Sequence, residues 1–329
     1  MTATIEVADH GSSDDLAGIA AVLTAFNRES VDPDEPATPV EEIRMRLRLD
    51  RDDIDAAYLV ARDGRDIVGF SFVDIRRGHG NEHMAWVADL YVLASHRRRG
   101  IGRALLDATV ARARDRGRTL LTGGFAESSD AGAAFVRATG MRTANRERQN
   151  RVAVATLDRA MLESWNVPAP GYSLVCFDGR CPDDLLDDFI AIQRVMNDAP
   201  HSESIDDFVF TPELRRAAER ELERFGTEYW FAGARHDASG ELAGFTELVF
   251  HRYAPWLVEQ GDTAVAPAHR GHGIGRWLKA VNALRVLDEK SEARVMETWN
   301  DGSNKWMLAI NDAMGFRPAV TWVEAELDI

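Results

Sequence analysis

Two stretches of this chain are versions of one another, and any fold must accommodate both. The first is Leu90-Tyr91-Val92-Leu93-Ala94-Ser95-His96-Arg97-Arg98-Arg99-Gly100-Ile101-Gly102-Arg103; the second is Thr263-Ala264-Val265-Ala266-Pro267-Ala268-His269-Arg270-Gly271-His272-Gly273-Ile274-Gly275-Arg276. Each reads as a strand, a short basic loop and the start of a helix. Upstream, Gly69 in Ile67-Val68-Gly69-Phe70 has its counterpart in Gly244 of Leu242-Ala243-Gly244-Phe245. Downstream, Gly140 in Ala138-Thr139-Gly140-Met141 has its counterpart in Gly315 of Ala313-Met314-Gly315-Phe316, at the same separation. Three landmarks in one order predict a duplicated domain, and 329 residues are enough for two domains of ordinary size.

Each copy reads as a helical first third, then strands, a helix, a further strand and a last helix. Tyr58 to Ala61 and Ile67 to Ile75 predict a hairpin turning at Arg62-Asp63-Gly64-Arg65; Tyr229 to Arg235 and Glu241 to Phe250 predict its counterpart at Asp237-Ala238-Ser239-Gly240. Ile274, Leu278, Val281 and Leu284, like Ile101, Leu105 and Ala108, recur at helical spacing. The breakers in Asn166-Val167-Pro168-Ala169-Pro170-Gly171 place a linker at 161–171, between domains at 1–160 and 172–329.

The loop itself points to an anion. After a strand, Arg-x-x-Gly-x-Gly opens a helix whose first N–H groups have no intrahelical partner and carry the positive end of its dipole. Glycine lets a diphosphate approach the backbone, and flanking arginines add forked donors. No Gly-Lys-Ser/Thr follows, which excludes a Walker-type loop, and the third glycine of a dinucleotide fingerprint is missing. The alternative, a tight turn decorated with surface arginines, is weakened by its occurring twice in one context.

Composition narrows the partners. A formal net charge of -15 argues against nucleic acid, and no apolar run is long enough to cross a bilayer. The segment Met1-Thr2-Ala3-Thr4-Ile5-Glu6-Val7 lacks secretory-signal features, so a cytoplasmic location is expected. Cys176 and Cys181 read as reduced thiols, and no His or Cys spacing assigns a metal.

These residues resemble the GNAT superfamily of acetyl-CoA-dependent N-acetyltransferases, most specifically over Asp262 to Leu278 and Asn300 to Phe316, and the duplication is similar to that of its tandem members. The resemblance implies an α/β (α+β) protein of two GNAT-like domains, each a mixed, splayed sheet flanked by helices. It implies that acetyl-CoA lays its pantetheine along Val265, Ala266 and Pro267, or Leu90, Tyr91 and Val92. Its pyrophosphate would lie on Arg270, Gly271, His272, Gly273, Ile274, Gly275 and Arg276, or on Arg97, Arg98, Arg99, Gly100, Ile101, Gly102 and Arg103.

It further implies a base at Glu259, where the first copy has Trp86, with Asp262 an alternative that has its counterpart in Asp89. Asn304 corresponds to an asparagine that orients the cofactor, replaced in the first copy by Ser129. Many members place an acidic tyrosine where this chain has Asn311 and Val136; Asn311 can hydrogen-bond but is no practical acid. The second copy is therefore expected to be catalytic, attacking the thioester directly with a small-molecule amine, in a monomer or homodimer bound to neither membrane nor nucleic acid. The acceptor pocket is expected from Met196 to His201 and His251 to Trp256. Another acyl-CoA donor, or a non-catalytic coenzyme A sensor or scaffold, are the competing readings.

Overall fold

The computed structural model describes residues 3–47 and 53–329. Two compact units emerge: Met1–Glu147 with Ser202–Asp206 and Ala319–Ile329, and Arg148–His201 with Asp207–Pro318.

The first unit opens with strand β1 (Thr4–Val7) and helices α1 (Ser13–Ser30) and α2 (Val40–Leu47). Strands β2 (Ile54–Asp63), β3 (Asp66–Arg76) and β4 (Met84–Val92) follow, then α3 (Ile101–Asp115), β5 (Leu120–Ala126), α4 (Asp130–Thr139) and β6 (Arg142–Ala153), which passes into the second unit at Arg148. The second unit contains α5 (Arg159–Trp165), β7 (Tyr172–Asp178), α6 (Leu186–Gln193), α7 (Pro212–Phe225), β8 (Glu228–His236) and β9 (Leu242–Phe250). It continues through β10 (Leu257–Val265), α8 (Ile274–Glu289), β11 (Val295–Asp301) and α9 (Lys305–Ala313), and the chain closes on β12 (Arg317–Asp328).

Both expected hairpins form, turning at Gly64 and Gly240 with φ of +68° and +79°. Helices cover both faces of each sheet, because each strand alternates two apolar sets. In the first unit, Leu16, Ile19 and Leu23 of α1 pack on Tyr58, Val60 and Phe70, while Ile101 and Leu105 of α3 pack on Leu59, Val68 and Val92. In the second, Phe189 and Ile192 of α6 meet Phe177, Phe231 and Phe245, and Ile274, Trp277 and Leu278 of α8 meet Ala232, Ala234 and Ala243. Each fully buried side chain of this kind stabilises by about 1.5–3 kcal/mol.

The sheets are mixed and split. β4 pairs in parallel with β5 only from Met84 to Val87, and β10 with β11 only from Leu257 to Gln260. Beyond these pairs each central strand keeps its antiparallel partner on one side, as far as Val92 and Val265, and leaves the other side open. Gly69 and Gly244 sit where the antiparallel strands approach most closely: a Cβ there would lie 2.7 Å from the Tyr91 carbonyl oxygen or 2.9 Å from that of Ala264.

The boundary differs from the expected linker. Asp158 caps α5 by accepting from the Met161 N–H, and Leu162 is wholly buried with Val152, Val154, Ala283 and Leu284 in the second unit. An apolar helix face thus outweighs the nearby prolines, which act only as a stop after Trp165. At the other end, residues 319–329 belong to the first unit, where β12 pairs with β5 from Trp322↔Ala126 to Asp328↔Leu120. There Glu326, 1% exposed, accepts from the hydroxyls of Ser202 (2.8 Å) and Ser204 (2.7 Å) and from Arg142. Glu326→Ala strands these donors, so the unfolding free energy should fall by about 2 kcal/mol or more in urea titration, with the far-ultraviolet spectrum unchanged.

Candidate active site

Each basic loop makes its turn with left-handed residues. In the second unit Gly271 and Gly273 have φ of +84° and +77°, and Gly273 caps α8. In the first unit Gly100 (φ +83°) caps α3, but Arg98, with φ +64°, stands where the second has Gly271. The conformation is therefore kept where the residue is not glycine, at a cost of about 1–2 kcal/mol. Trp277 and Ala104 make the first helical N–H bonds, to the Gly273 and Gly100 carbonyls. The helical N–H groups before these have no backbone acceptor among the described residues, which is the local feature an anion site requires.

Arg99 and Arg103 pair with Asp63 and Asp107, and the other arginines of the loops divide into two kinds. Arg97 donates through Nε to the Val92 carbonyl (2.9 Å) and grips Glu29 with both Nη atoms (2.8 and 2.7 Å). Arg270 repeats this, donating to the Val265 carbonyl (3.0 Å) and Asp198 (3.2 Å). These two brace the loop against the preceding strand. Arg276 and Arg98 carry no ion pair among the described residues and remain available to an anion. In the first unit a cavity of about 290 Å³ opens beside Arg97, Ala126, Ser129 and Asp130.

On the face covered by α6 and α7, the second unit holds three carboxyls. β10 carries one extra residue against β9 between Gln260 and Thr263, and this bulge contains Asp262. The Gln260 amide pins the bulge by donating to the Thr246 hydroxyl (3.0 Å) and the Glu247 carbonyl (2.7 Å). Glu247 is buried and accepts from the Tyr229 hydroxyl at 2.5 Å. Burial and the negative Asp262 push its carboxyl up to about 7, against the opposing pull of Arg215. Asp262 is open to solvent yet crowded by surrounding protein; that crowding and Glu259 raise its carboxyl as well. Glu259 is half-exposed and bonded to His251 Nε2 at 2.9 Å.

The remaining candidates have structural partners. Asn304 caps α9, its Oδ1 accepting from the Met307 N–H at 3.2 Å, and Ser129 caps α4 in the same way. Asn311 is buried, donates to Asn300 Oδ1 (2.7 Å) and accepts from Lys279 Nζ (2.9 Å). Lys279 is 1% exposed, and burial pulls it down to about 7. Sequence reasoning passes over Lys279 and Glu247, each a lone charge within an apolar run; the signal was that isolation. At the corresponding places the first unit has Leu106, Val136 and Phe72 for Lys279, Asn311 and Glu247. Its Asp89 has a raised carboxyl through burial, countered by Arg46.

The acetyltransferase (GNAT) family model matches residues 20–140 and 194–308. A mycothiol acetyltransferase of Clavibacter sepedonicus is 30% identical over 301 residues, spanning 88% of this chain and 86% of the relative. Another, of Clavibacter michiganensis subsp. michiganensis, is 30% identical over 307 residues, with the same coverage. A solved tandem GNAT protein from the clavulanic acid biosynthesis pathway has a TM-score of 0.81 at 27% identity, covering 99% of this chain and 98% of its own. A GCN5-related N-acetyltransferase from Sphaerobacter thermophilus shares the fold, with a TM-score of 0.73 at 17% identity over 99% and 95% of the two chains. No helix among the described residues is long and apolar enough to cross a membrane.

A side chain at Gly273 would put Cβ 3.1 Å from Arg276 Nε in a left-handed backbone. The expectation of a diphosphate on this loop predicts that Gly273→Val weakens coenzyme A binding at the second unit at least about tenfold by calorimetry, since strain and steric filling both act at the helix start.

Proposed function

The chain belongs to the GNAT family of acetyltransferases, and from that premise we propose that its second unit N-acetylates a small-molecule amine with acetyl-CoA in a ternary complex. The observation that supports this reading is the Glu247–Asp262 pair, a carboxyl pushed up to about 7 beside another that is raised. An alkyl ammonium titrates near pH ~10 and must lose a proton before its nitrogen can attack, which calls for an acceptor poised near neutrality.

Acetyl-CoA supplies the acetyl group as a thioester. The glycine cradle fits its diphosphate: Gly271 and Gly273 leave the helix start bare, Arg276 stands beside it, and Val265 to Pro267 offer backbone on the open side of β10. Glu247 takes the amine proton, with Asp262 holding that proton within the site and Glu259, tied to His251, maintaining the negative field. That field favours a cationic acceptor over a neutral one. Asn311, buried and fixed between Lys279 and Asn300, occupies the place where an acid is common in the family. Lys279 is the nearby group whose proton is available near neutral pH. The first unit keeps the cradle without Glu247, Glu259 or Lys279, so we assign it coenzyme A binding without turnover: two cofactor sites and one active centre.

Thiol release from acetyl-CoA across a panel of amines, aminoglycosides, amino acids and peptides tests the reading; tight cofactor binding with no turnover on any amine would replace it with a sensor or scaffold. Because Glu247 must be ionised to accept a proton, kcat/KM for the amine should rise as pH increases through about 7 and level off above it. Glu247→Gln should lower kcat by about 100-fold or more and remove that rise, with acetyl-CoA affinity little changed. Glu259→Gln should lower turnover more modestly, by about tenfold; an unchanged rate would remove Glu259 from the centre.

A further inference from the structure

Away from the carboxyl cluster, the hairpin between β8 and β9 meets the turn before the second basic loop. There His236, Glu241 and His269 each present one ligand atom, all within 4.8 Å of one another. His236 and Glu241 are five residues apart but His269 lies 28 residues further on, so linear spacing assigns no metal. His269 lies in the turn Pro267–His269 and is buried; Glu241 is exposed and His236 half-buried. The hairpin is closed by the His236 N–H donating to the Glu241 carbonyl at 2.9 Å, so two of the three residues are held by a backbone bond.

We propose that His236, Glu241 and His269 bind a zinc-class divalent transition cation. The arrangement around the imidazoles carries the inference. His236 Nδ1 lies 2.9 Å from the Ser239 hydroxyl, and His269 Nδ1 lies 2.9 Å from the Tyr172 hydroxyl. Both rings therefore have a hydroxyl partner on Nδ1, leaving Nε2 as the ligand atom, the outer-shell arrangement that fixes tautomer and orientation in histidine metal sites. His236 Nε2 has no hydrogen-bond partner among the described residues. His269 Nε2 points at Glu241 Oε1, 2.9 Å away.

Without metal, His269 donates from Nε2 to Glu241 and accepts from Tyr172 on Nδ1. With metal, the ring carries its proton on Nδ1 and donates it to the Tyr172 oxygen, and the Nε2 lone pair turns to the cation. Two imidazoles and a carboxylate form a borderline N,N,O donor set suited to zinc or cobalt rather than magnesium or calcium. Tetrahedral closure needs ligand atoms about 3.3 Å apart, within reach of small side-chain movements in a hairpin tip. Water would complete the coordination. The cation would staple the hairpin to the turn that leads into Arg270 and Gly271.

The test uses the full chain without an affinity tag, stripped with chelator. Zinc calorimetry should give one site per chain at micromolar affinity or tighter, and cobalt should produce visible d–d bands of tetrahedral intensity. His236→Ala and Glu241→Gln, both at accessible positions, should each weaken zinc binding at least tenfold and abolish the cobalt bands. Saturating zinc should raise Tm by about 5 °C in the unaltered chain and not in the variants. Absence of stoichiometric binding, or binding that survives both substitutions, overturns the proposal. These readouts are independent of acetyl transfer.

Discussion

A parallel ladder that stops early is the constraint from which the rest of each unit follows. Between β10 and β11 it ends at Gln260↔Thr298, and between β4 and β5 at Val87↔Gly123. Continuing either ladder would pair the strand and erase the opening. A bulge in each central strand bends it away, at Gly261–Asp262 in one unit and at Ala88 in the other. The peptide groups beyond the last pair are then offered to solvent or to a ligand that can act as a temporary strand. The helix start, the left-handed loop and the bracing arginine all stand at the edge of this opening.

The same frame carries two different linings. In the second unit a buried glutamate and a buried lysine bring charge into low-dielectric surroundings, with a solvent-open bulge aspartate beside the glutamate. At the corresponding positions of the first unit Glu247 gives way to Phe72, Glu259 to Trp86, and Lys279 and Asn311 together to Leu106 and Val136. The last replacement is informative because both members change at once. A buried lysine without its amide, or an amide without its lysine, leaves an unpaired polar group, so either state is tolerable only as a pair.

What the sequence made legible was whatever local geometry requires. Gly69 and Gly244 are demanded by close strand approach, and Gly100 and Gly273 by left-handed caps, so their spacing revealed the duplication, while the splayed sheet was implied by the family resemblance alone. Strand and helix periodicity gave both hairpins and the inward faces of α3 and α8. Glu247 was not legible, because its poise near neutrality comes from Asp262 and from burial, neither of which a strand pattern records. Nor was the boundary: Pro168, Pro170 and Gly171 look like a linker, but Leu162 and Trp165 belong to a packed helix just before them. Asn304 shows the converse, a residue picked out for a ligand role whose side chain is engaged in capping a helix.

Assigning β12 to the first unit also has a bearing on how the chain is made. Residues 319–329 leave the ribosome after the entire second unit, yet they supply the strand beside β5 and the glutamate that Ser202 and Ser204 bond. Synthesis ordinarily lets the N-terminal domain fold first. Here the first unit stays one strand short until residues 319–329 are made, while the second, built from 148–201 and 207–318, has all its strands available earlier. The first unit therefore cannot complete its sheet before the second has been synthesised, and the chain cannot be cut into two contiguous halves that each keep a whole sheet.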